Sequence, residues 1–303
     1  MTLHALRSIA NPISTSFATL LRRASLTQRD TSLFESHRSS VTRAIETHLD
    51  TSKVELMGSF RRGSAIHGSS DIDLLAVLRV GSLRWGGSLK SSATVLAEVR
   101  RALLSRYPNS VVGRDGQAVV VSFNDGQHPV DVVPACYAEQ GGPYNHPLYF
   151  IPDGTGGWMV TSPSSHNRFL AEADSRAGGQ LKFTSQLLKY WRGTRATAVP
   201  MSAFHLELLI AQERLCEGAR SYADVVRDAL VVLSNRDGAA LHDPVGISGL
   251  IPLASTESKC NQAMQSIDAA ARHADAALLA ERSGDFLEAN RQWGIVFNGH
   301  FPS

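Results

Sequence analysis

The feature that most constrains the fold is a pair of acidic residues set into an apolar run. Asp71 and Asp73 alternate with Ile72 and Leu74 where that run begins. In a β-strand, residues i and i+2 point to one face and the residues between them point to the other. The sequence therefore predicts a strand over 71–78 that buries Ile72 and Leu74 and presents both carboxylates on its opposite face.

A third acidic residue lies in a second strand-like segment. Asp131 belongs to Val130–Val133, which follows the hairpin signal Asn124-Asp125-Gly126 and is expected to end at Pro134. If the two strands are neighbours, three carboxylates converge. Two unit charges about 4 Å apart repel by roughly 4 kcal/mol at an effective dielectric constant near 20. Protonation, arginine partners or divalent cations must offset such repulsion.

A segment rich in glycine and serine precedes the acidic pair. Gly58-Ser59 follows the short apolar run Val54–Met57, and a loop is expected from there to Ser70. Glycine lets backbone N–H groups approach phosphate oxygens closely, and a serine hydroxyl adds a donor. Mg²⁺ favours carboxylates together with substrate phosphates. The order of these motifs therefore predicts phosphate binding beside metal-binding carboxylates.

The remaining chain divides into an α/β half and a helical half. Residues 40–50 and 92–106 carry apolar side chains at helical spacing, residues 119–123 are strand-like, and residues 140–165 show no clear period. Four later segments fit helices: Gln180–Trp191, Ser202–Glu217, Tyr222–Leu233 and Thr256–Ala280.

Composition excludes several classes of protein. With 43% apolar and 19% charged residues the chain is not disordered, and a net charge of +2 excludes a polybasic histone-like protein. The cysteines, Cys136, Cys216 and Cys260, lie far apart and form no CxxC, which fits a reducing compartment. No apolar run approaches the length of a membrane span.

The N-terminal segment allows two interpretations. Residues 1–29 contain several arginines and no acidic residue, a composition that also describes a mitochondrial transit peptide. The alternative is an amphipathic first helix around Ser14–Ala24, with Phe17 and Leu20 facing a core.

The motif set carries a family resemblance. Gly58-Ser59, Asp71-x-Asp73 and Asp131 resemble the motifs of the DNA-polymerase-β-like nucleotidyltransferase superfamily. Over roughly residues 40–300, further segments resemble the cyclic GMP-AMP synthase and oligoadenylate synthase branch and its bacterial members, the CD-NTases. These segments are Val130–Ala135, Gly157–Pro163 with His166-Asn167, and Leu188–Trp191 with Ser202–His205.

The resemblance implies an α+β fold in two parts. Residues 1–155 would hold an N-terminal helix and a polymerase-β-like nucleotidyltransferase core, a mixed sheet with flanking helices. Residues 156–303 would form a helical lobe like that of oligoadenylate synthase. Such enzymes join NTPs bound between the two parts into a cyclic di- or trinucleotide second messenger and release pyrophosphate. In bacteria the messenger activates an antiphage effector.

The resemblance also implies a metal centre. Asp71 and Asp73 would bind two Mg²⁺ ions, which Mn²⁺ could replace, and Asp131 would bind the ion at the attacking hydroxyl and help activate that hydroxyl. Two ions about 3.5–4 Å apart stabilise both the attacking and the leaving oxygen of an in-line phosphoryl transfer.

The implied nucleotide-binding residues are Gly58, Ser59, Lys189 and Ser202, which would hold the triphosphate. An alignment shifted by one would replace Ser202 by Ala203, which has no hydroxyl. The expected partners are NTPs and, through the product, a downstream effector. Neither a membrane nor a stable nucleic-acid partner is expected, and the expected location is the cytoplasm.

Two alternatives stay open at this point. The first is a linear nucleotidyltransferase acting on RNA, protein or a small molecule. An extended basic track would favour RNA, but the chain shows only short pairs such as Arg61-Arg62 and Arg100-Arg101. The second is a catalytically silent nucleotide-binding protein, which the presence of all three acids argues against.

Overall fold

The computed structural model describes residues 11–123 and 126–302, so predictions for the first ten residues and for Asn124 and Asp125 lie outside the described part. The helices are α1 Pro12–Ala24, α2 Gln28–His48, α3 Gly58–Arg62, α4 Ser92–Arg106, α5 Pro163–Arg176, α6 Gln180–Gly193, α7 Ala203–Gln212, α8 Tyr222–Asn235, α9 Glu257–Arg282 and α10 Phe286–Val296. The strands are β1 Thr51–Leu56, β2 Ile72–Leu78, β3 Arg84–Trp85, β4 Ser88–Leu89, β5 Val111–Asp115, β6 Ala118–Ser122, β7 Val130–Gly141, β8 His146–Pro152, β9 Trp158–Thr161, β10 Leu241–His242 and β11 Leu250–Ile251.

The central sheet is mixed. Within the described residues it has seven strands in the order β1-β2-β7-β6-β5, with β8 added to β7 and β9 added to β8. Strands β2 and β7 are parallel, whereas β1 pairs with β2, and β6 with β7, in antiparallel fashion. The parallel pair requires a crossover, and α4 lies in that connection. The predicted α+β class, a mixed sheet with flanking helices, is confirmed.

Alternation along β2 divides its side chains between two faces. Ile72 and Leu74 are buried in the core that α2 and α4 form against one face of the sheet, as predicted. Leu75 and Val77 point to the other face and pack with Val133 of β7. Asp73 shares this second face with Leu75, because the two residues are separated by one position.

The helical lobe surrounds a separate core, which α1 completes. Phe17 of α1 makes an edge-to-face contact with Trp293 of α10 at 4.9 Å between ring centroids. The amphipathic helix predicted over Ser14–Ala24 is therefore present. The predicted division at residue 155 stays a prediction; α1 packs in the helical lobe, and β9 pairs in the sheet. In the part of the chain that the structure describes, no helix is long and apolar enough to cross a membrane.

Pro134 does not end its strand, and this local prediction was wrong. β7 continues to Gly141. On the side away from β2, pairing with β6 ends at Val132 and pairing with β8 begins at Cys136. Pro134 lies between these two partners, so its missing N–H leaves no neighbouring strand without a donor on that side.

Other local predictions also need correction. The segment 140–165 contains β8 and β9 rather than irregular chain, and the expected loop after Met57 begins with the short helix α3. The helix predicted over Ser202–Glu217 is shorter, since Ser202 lies outside α7 as its N-terminal cap and α7 ends at Gln212. Helices α5 and α10 were not identified from the sequence.

Candidate active site

Two acidic side chains lie side by side at the centre of the sheet. In the register of parallel strands β2 and β7, Asp73 is the partner of Asp131. Neighbouring strands are about 4.8 Å apart. Asp71 lies one residue before β2 and is exposed, whereas Asp73 and Asp131 are half-buried. The structure therefore places the acids of both motifs together.

The electrostatics of this cluster are unfavourable without a cation. Burial raises the pKa of Asp131 to about 8, and the negative charges of Asp71 and Asp73 add to the increase. Burial likewise raises the pKa of Asp73 to about 6, against the attraction of the Arg62 guanidinium. Desolvation within the cavity raises the pKa of Asp71 although its side chain is accessible, and the charge of Arg192 opposes this increase.

Gly58 lies directly against Asp73. Its φ is +65°, and a Cβ atom at this position would come within 1.7 Å of the Asp73 Oδ2 atom. The preceding amide, that of Met57, donates to the backbone carbonyl of Asp73 at 2.9 Å. Only glycine fits this conformation and this approach. The predicted phosphate-binding pair, Gly58 and Ser59, is thus beside a predicted metal ligand.

A cavity of about 310 Å³ lies over these residues and is lined by Ser59, Asp71, Asp73, Lys189 and Arg192, among others. A second cavity, of about 460 Å³, adjoins it and has several lining residues in common with the first. The two spaces lie next to each other at the junction between the sheet and the helical lobe.

Lys189 lies at the first cavity but is buried, with only 5% of its surface exposed. Its Nζ donates to the backbone carbonyl and the hydroxyl of Ser64, both at 3.1 Å, and forms an ion pair with Glu207. Burial alone would raise the pKa of Glu207, but the charges of Lys189 and Arg62 bring it down to about 2. The expected contact between Lys189 and a triphosphate stays a prediction.

Ser202 lines the adjoining cavity with Asp115 and Gln117. Its hydroxyl caps α7 by accepting a hydrogen bond from the amide of His205 at 3.2 Å. The structure thus separates Ser202 from the cavity that holds Ser59 and Lys189, and its expected phosphate contact also stays a prediction.

Several residues of the site were missed by sequence analysis. Asp115, at the end of β5, adds a further negative charge that raises the pKa of Asp71 and Asp131. Arg192 lies three residues after Lys189 on α6, and residues at this spacing share a helix face. That spacing was a signal for Arg192, whereas Asp115 gave none.

The acidic cluster fits a divalent cation in its chemistry. Carboxylate oxygens are preferred ligands of Mg²⁺, and a bound cation would counter the burial and mutual repulsion that raise the pKa of Asp73 and Asp131. Across residues 11–123 and 126–302, no three acidic, histidine or cysteine side chains stand close enough to enclose an ion by themselves. Substrate phosphates and water would complete the coordination, as is usual for Mg²⁺.

Comparisons with known proteins identify the family. A family model described as the Second Messenger Oligonucleotide or Dinucleotide Synthetase domain matches residues 12–173. A probable cyclic nucleotide synthase of Bacillus cereus (strain VD146) is 22% identical over 279 residues, which cover 81% of this chain and 81% of that protein.

Solved structures share the fold. CdnC of E. coli MS115-1, determined with ATP, is 18% identical with a TM-score of 0.70 and covers 96% of this chain and 99% of its own. The CD-NTase CdnG of Bradyrhizobium diazoefficiens in complex with GTP is 15% identical with a TM-score of 0.65, covering 95% of this chain and 99% of its own. The cyclic AMP-GMP synthase DncV of Vibrio cholerae, in complex with a linear intermediate, is 10% identical with a TM-score of 0.62 and covers 97% and 87%.

Proposed function

We propose that this chain, which belongs to the Second Messenger Oligonucleotide or Dinucleotide Synthetase family, is a nucleotidyltransferase that joins NTPs into a cyclic di- or trinucleotide and releases pyrophosphate. The observation that carries the proposal is the pairing of Asp73 with Asp131 on parallel strands, with the Gly58 backbone against Asp73. This arrangement supports a phosphate-binding turn, formed by Gly58 and Ser59, beside a carboxylate cluster that would hold cations.

The acids have distinct roles in this proposal. Asp71 and Asp73 would hold the metal ions, and Asp131 would bind the ion at the attacking hydroxyl and help activate that hydroxyl by taking up its proton. The hydroxyl oxygen bonds to the α-phosphorus of the donor NTP while the bond from that phosphorus to the β-phosphate oxygen breaks. When bound, two Mg²⁺ ions (or Mn²⁺) would stabilise the charge on the attacking and leaving oxygens.

The cavities supply room for donor and acceptor. Gly58 and Ser59 would hold the donor triphosphate in the first cavity, beside Asp73. The adjoining cavity, which Asp115 lines, would give space for a second nucleotide. A second transfer, from the linear intermediate onto its own terminal hydroxyl, would close the ring.

The biological setting is part of the proposal and is inferred from the family. ATP or GTP is bound in the related structures, so NTPs are the proposed substrates. We place the enzyme in the cytoplasm, where NTPs are available and where free cysteines persist. Its product would act on a downstream effector in antiphage signalling.

One incubation tests the function. The purified protein, all four NTPs and Mg²⁺ or Mn²⁺ are combined, phosphatase is added, and the products are identified by mass spectrometry. We expect a phosphatase-resistant cyclic oligonucleotide from the wild type and none from Asp73→Asn.

A matched control is Asp50→Asn, which alters an exposed acid that pairs with Arg79 away from the site. This variant should make product at the wild-type rate. A product that loses only its terminal phosphates to phosphatase, leaving a linear oligonucleotide with free ends by mass, would instead identify a linear transferase. Normal turnover by Asp73→Asn would contradict the metal assignment.

A further inference from the structure

We propose that Arg192, rather than Lys189, contacts the substrate phosphates, and that Lys189 is a positioning residue for the phosphate-binding turn. This inference rests on the proposed function and assigns roles within the same cavity. It differs from the role that the family resemblance implies for Lys189.

The Lys189 ammonium has no donor left for a phosphate. A lysine has three N–H donors and no acceptor. Among the described residues, Lys189 directs hydrogen bonds to three acceptor atoms, the carbonyl and hydroxyl of Ser64 and the carboxylate of Glu207. A phosphate could be contacted only by breaking one of these bonds in a site that is almost fully buried.

Glu207 closes this network from the other side. Its Oε1 atom also accepts from the Ser64 hydroxyl at 2.5 Å. Its Oε2 atom accepts from the guanidinium of Arg62, with Nε at 2.8 Å and Nη2 at 2.7 Å. Only 2% of the Glu207 side chain is exposed. Both carboxylate oxygens are therefore occupied, and Lys189 is held in place by a buried anion.

The network leads back to the phosphate-binding turn. The amide of Ser64 donates to the carbonyl of Ser59 at 2.9 Å, across the short helix α3. Lys189 thus fixes Ser64, and Ser64 fixes Ser59. This chain of bonds gives Lys189 an effect on the turn that requires no contact with substrate.

Arg192 differs from Lys189 in the hydrogen-bonding partners of its side chain. It lies three residues further along the same helix, so it points to the same side as Lys189. An arginine has five N–H donors, and within the described residues Arg192 makes one hydrogen bond, from Nη1 to the carbonyl of Met201 at 2.7 Å. It lines the cavity together with Asp71 and Ser59, and its charge acts on Asp71. Its remaining donors suit bidentate phosphate recognition.

Binding of nucleotide analogues separates the two roles. Non-hydrolysable ATP and GTP analogues, and the matching nucleosides without phosphate, are titrated calorimetrically with Mg²⁺ present, and melting temperatures are measured in parallel. Arg192→Gln should weaken analogue binding at least tenfold, leave nucleoside binding within twofold, and leave the melting temperature close to that of the wild type.

The control for Arg192 is Arg195→Gln. Arg195 lies just beyond the C-terminal end of α6, donates to the carbonyls of Trp191 and Val296, and does not line the cavity. This variant should bind the analogues within twofold of the wild type. Equal weakening by Arg195→Gln, or unchanged binding by Arg192→Gln, would overturn the assignment of Arg192.

The role of Lys189 is tested by asking whether a second substitution, at Glu207, restores the stability and binding that are lost when Lys189 is replaced. Lys189→Met should lower the melting temperature and weaken analogue binding, because it removes one partner of a buried charge. The double variant Lys189→Met/Glu207→Gln removes that charge as well, and should recover most of both losses. A double variant that melts like the wild type but still binds the analogue tenfold more weakly would show that Lys189 contacts the phosphates. A wild type that binds neither analogue would contradict the proposed function itself.

Discussion

The backbone of Gly58 and the carboxylate of Asp73 occupy adjoining positions that leave no room for a side chain between them. A methyl group on Gly58 would overlap Oδ2 at 1.7 Å, and φ at this position is +65°. The carboxylate of Asp73 on β2 and the turn that follows β1 are therefore in direct contact. This close spacing is possible only because Gly58 has no side chain.

Gly58→Ala should therefore remove activity through Asp73. The added Cβ must displace the carboxylate or the turn, and the left-handed backbone conformation adds strain of about 1–2 kcal/mol. We expect at least a hundredfold lower rate of pyrophosphate release. Gly68→Ala is the matched control, because Gly68 also has a positive φ, +72°, but a Cβ there would meet nothing within 4 Å. Similar activity of the two variants would contradict this view.

The metal-free protein should lose stability as the pH rises toward 8. The pKa of Asp131 is about 8 in the folded state against an ordinary value of 3.8, so the folded state keeps a proton that the unfolded state has released. The free energy of unfolding falls between these two values as the pH rises. We expect a higher melting temperature at pH 6 than at pH 8 without metal, and a smaller difference in Asp131→Asn.

Metal should reverse this trend, because protons and cations compete for the same carboxylates. Addition of Mg²⁺ and a non-hydrolysable NTP should raise the melting temperature more at pH 8 than at pH 6. Asp50→Asn should behave like the wild type in this comparison. A wild type whose pH dependence matches that of Asp131→Asn would show that Asp131 ionises normally.

Asp243→Asn should loosen the loop that faces the site. Burial would raise the pKa of Asp243, but His166 and backbone amides hold it at about 2. The same carboxylate accepts from the amides of Ile247 and Ser248, so it closes the loop between β10 and β11. We expect a loss of about 1–3 kcal/mol in the free energy of unfolding and a raised KM for NTP. The exposed Asp237→Asn should change neither quantity in denaturant unfolding and kinetic assays.

Phe17→Ala should destabilise the helical lobe. Phe17 is fully buried and contacts the rings of Trp293, Phe297 and Phe301 edge to face. Removing such a side chain costs about 3–5 kcal/mol. The exposed Phe183→Ala should cost less than about 1 kcal/mol. Equal chemical denaturation midpoints for the two variants would mean that α1 adds little to the lobe.

The periodicity of the sequence correctly predicted the features that depend only on local backbone geometry. The alternation of Ile72 and Leu74 with the acids gave the correct faces of β2, because a strand has a period of two whatever surrounds it. The prediction failed where distant partners decide. Pro134 reads as a strand end, but the strand continues because its neighbours leave a gap there.

Prediction of the site was limited in the same way, by contacts between residues that are distant in the sequence. The motifs predict a role for three acids, which stays a prediction, and the family resemblance is confirmed by the match over residues 12–173. The partners of Lys189 could not be predicted, because Ser64 lies 125 residues away and no pattern connects the two. Arg192 could have been identified from its helical spacing to Lys189. Asp115, in contrast, lies near the other acids only because of the order of the strands in the sheet.

The contact between α1 and α10 has a consequence for how the protein is made. The ribosome releases Phe17 long before Trp293, so the first helix waits for this partner while the segments between them emerge. The core of the lobe that contributes Arg192 and Glu207 can therefore be completed only after Trp293 is released. Until then the nascent chain exposes the apolar face of α1.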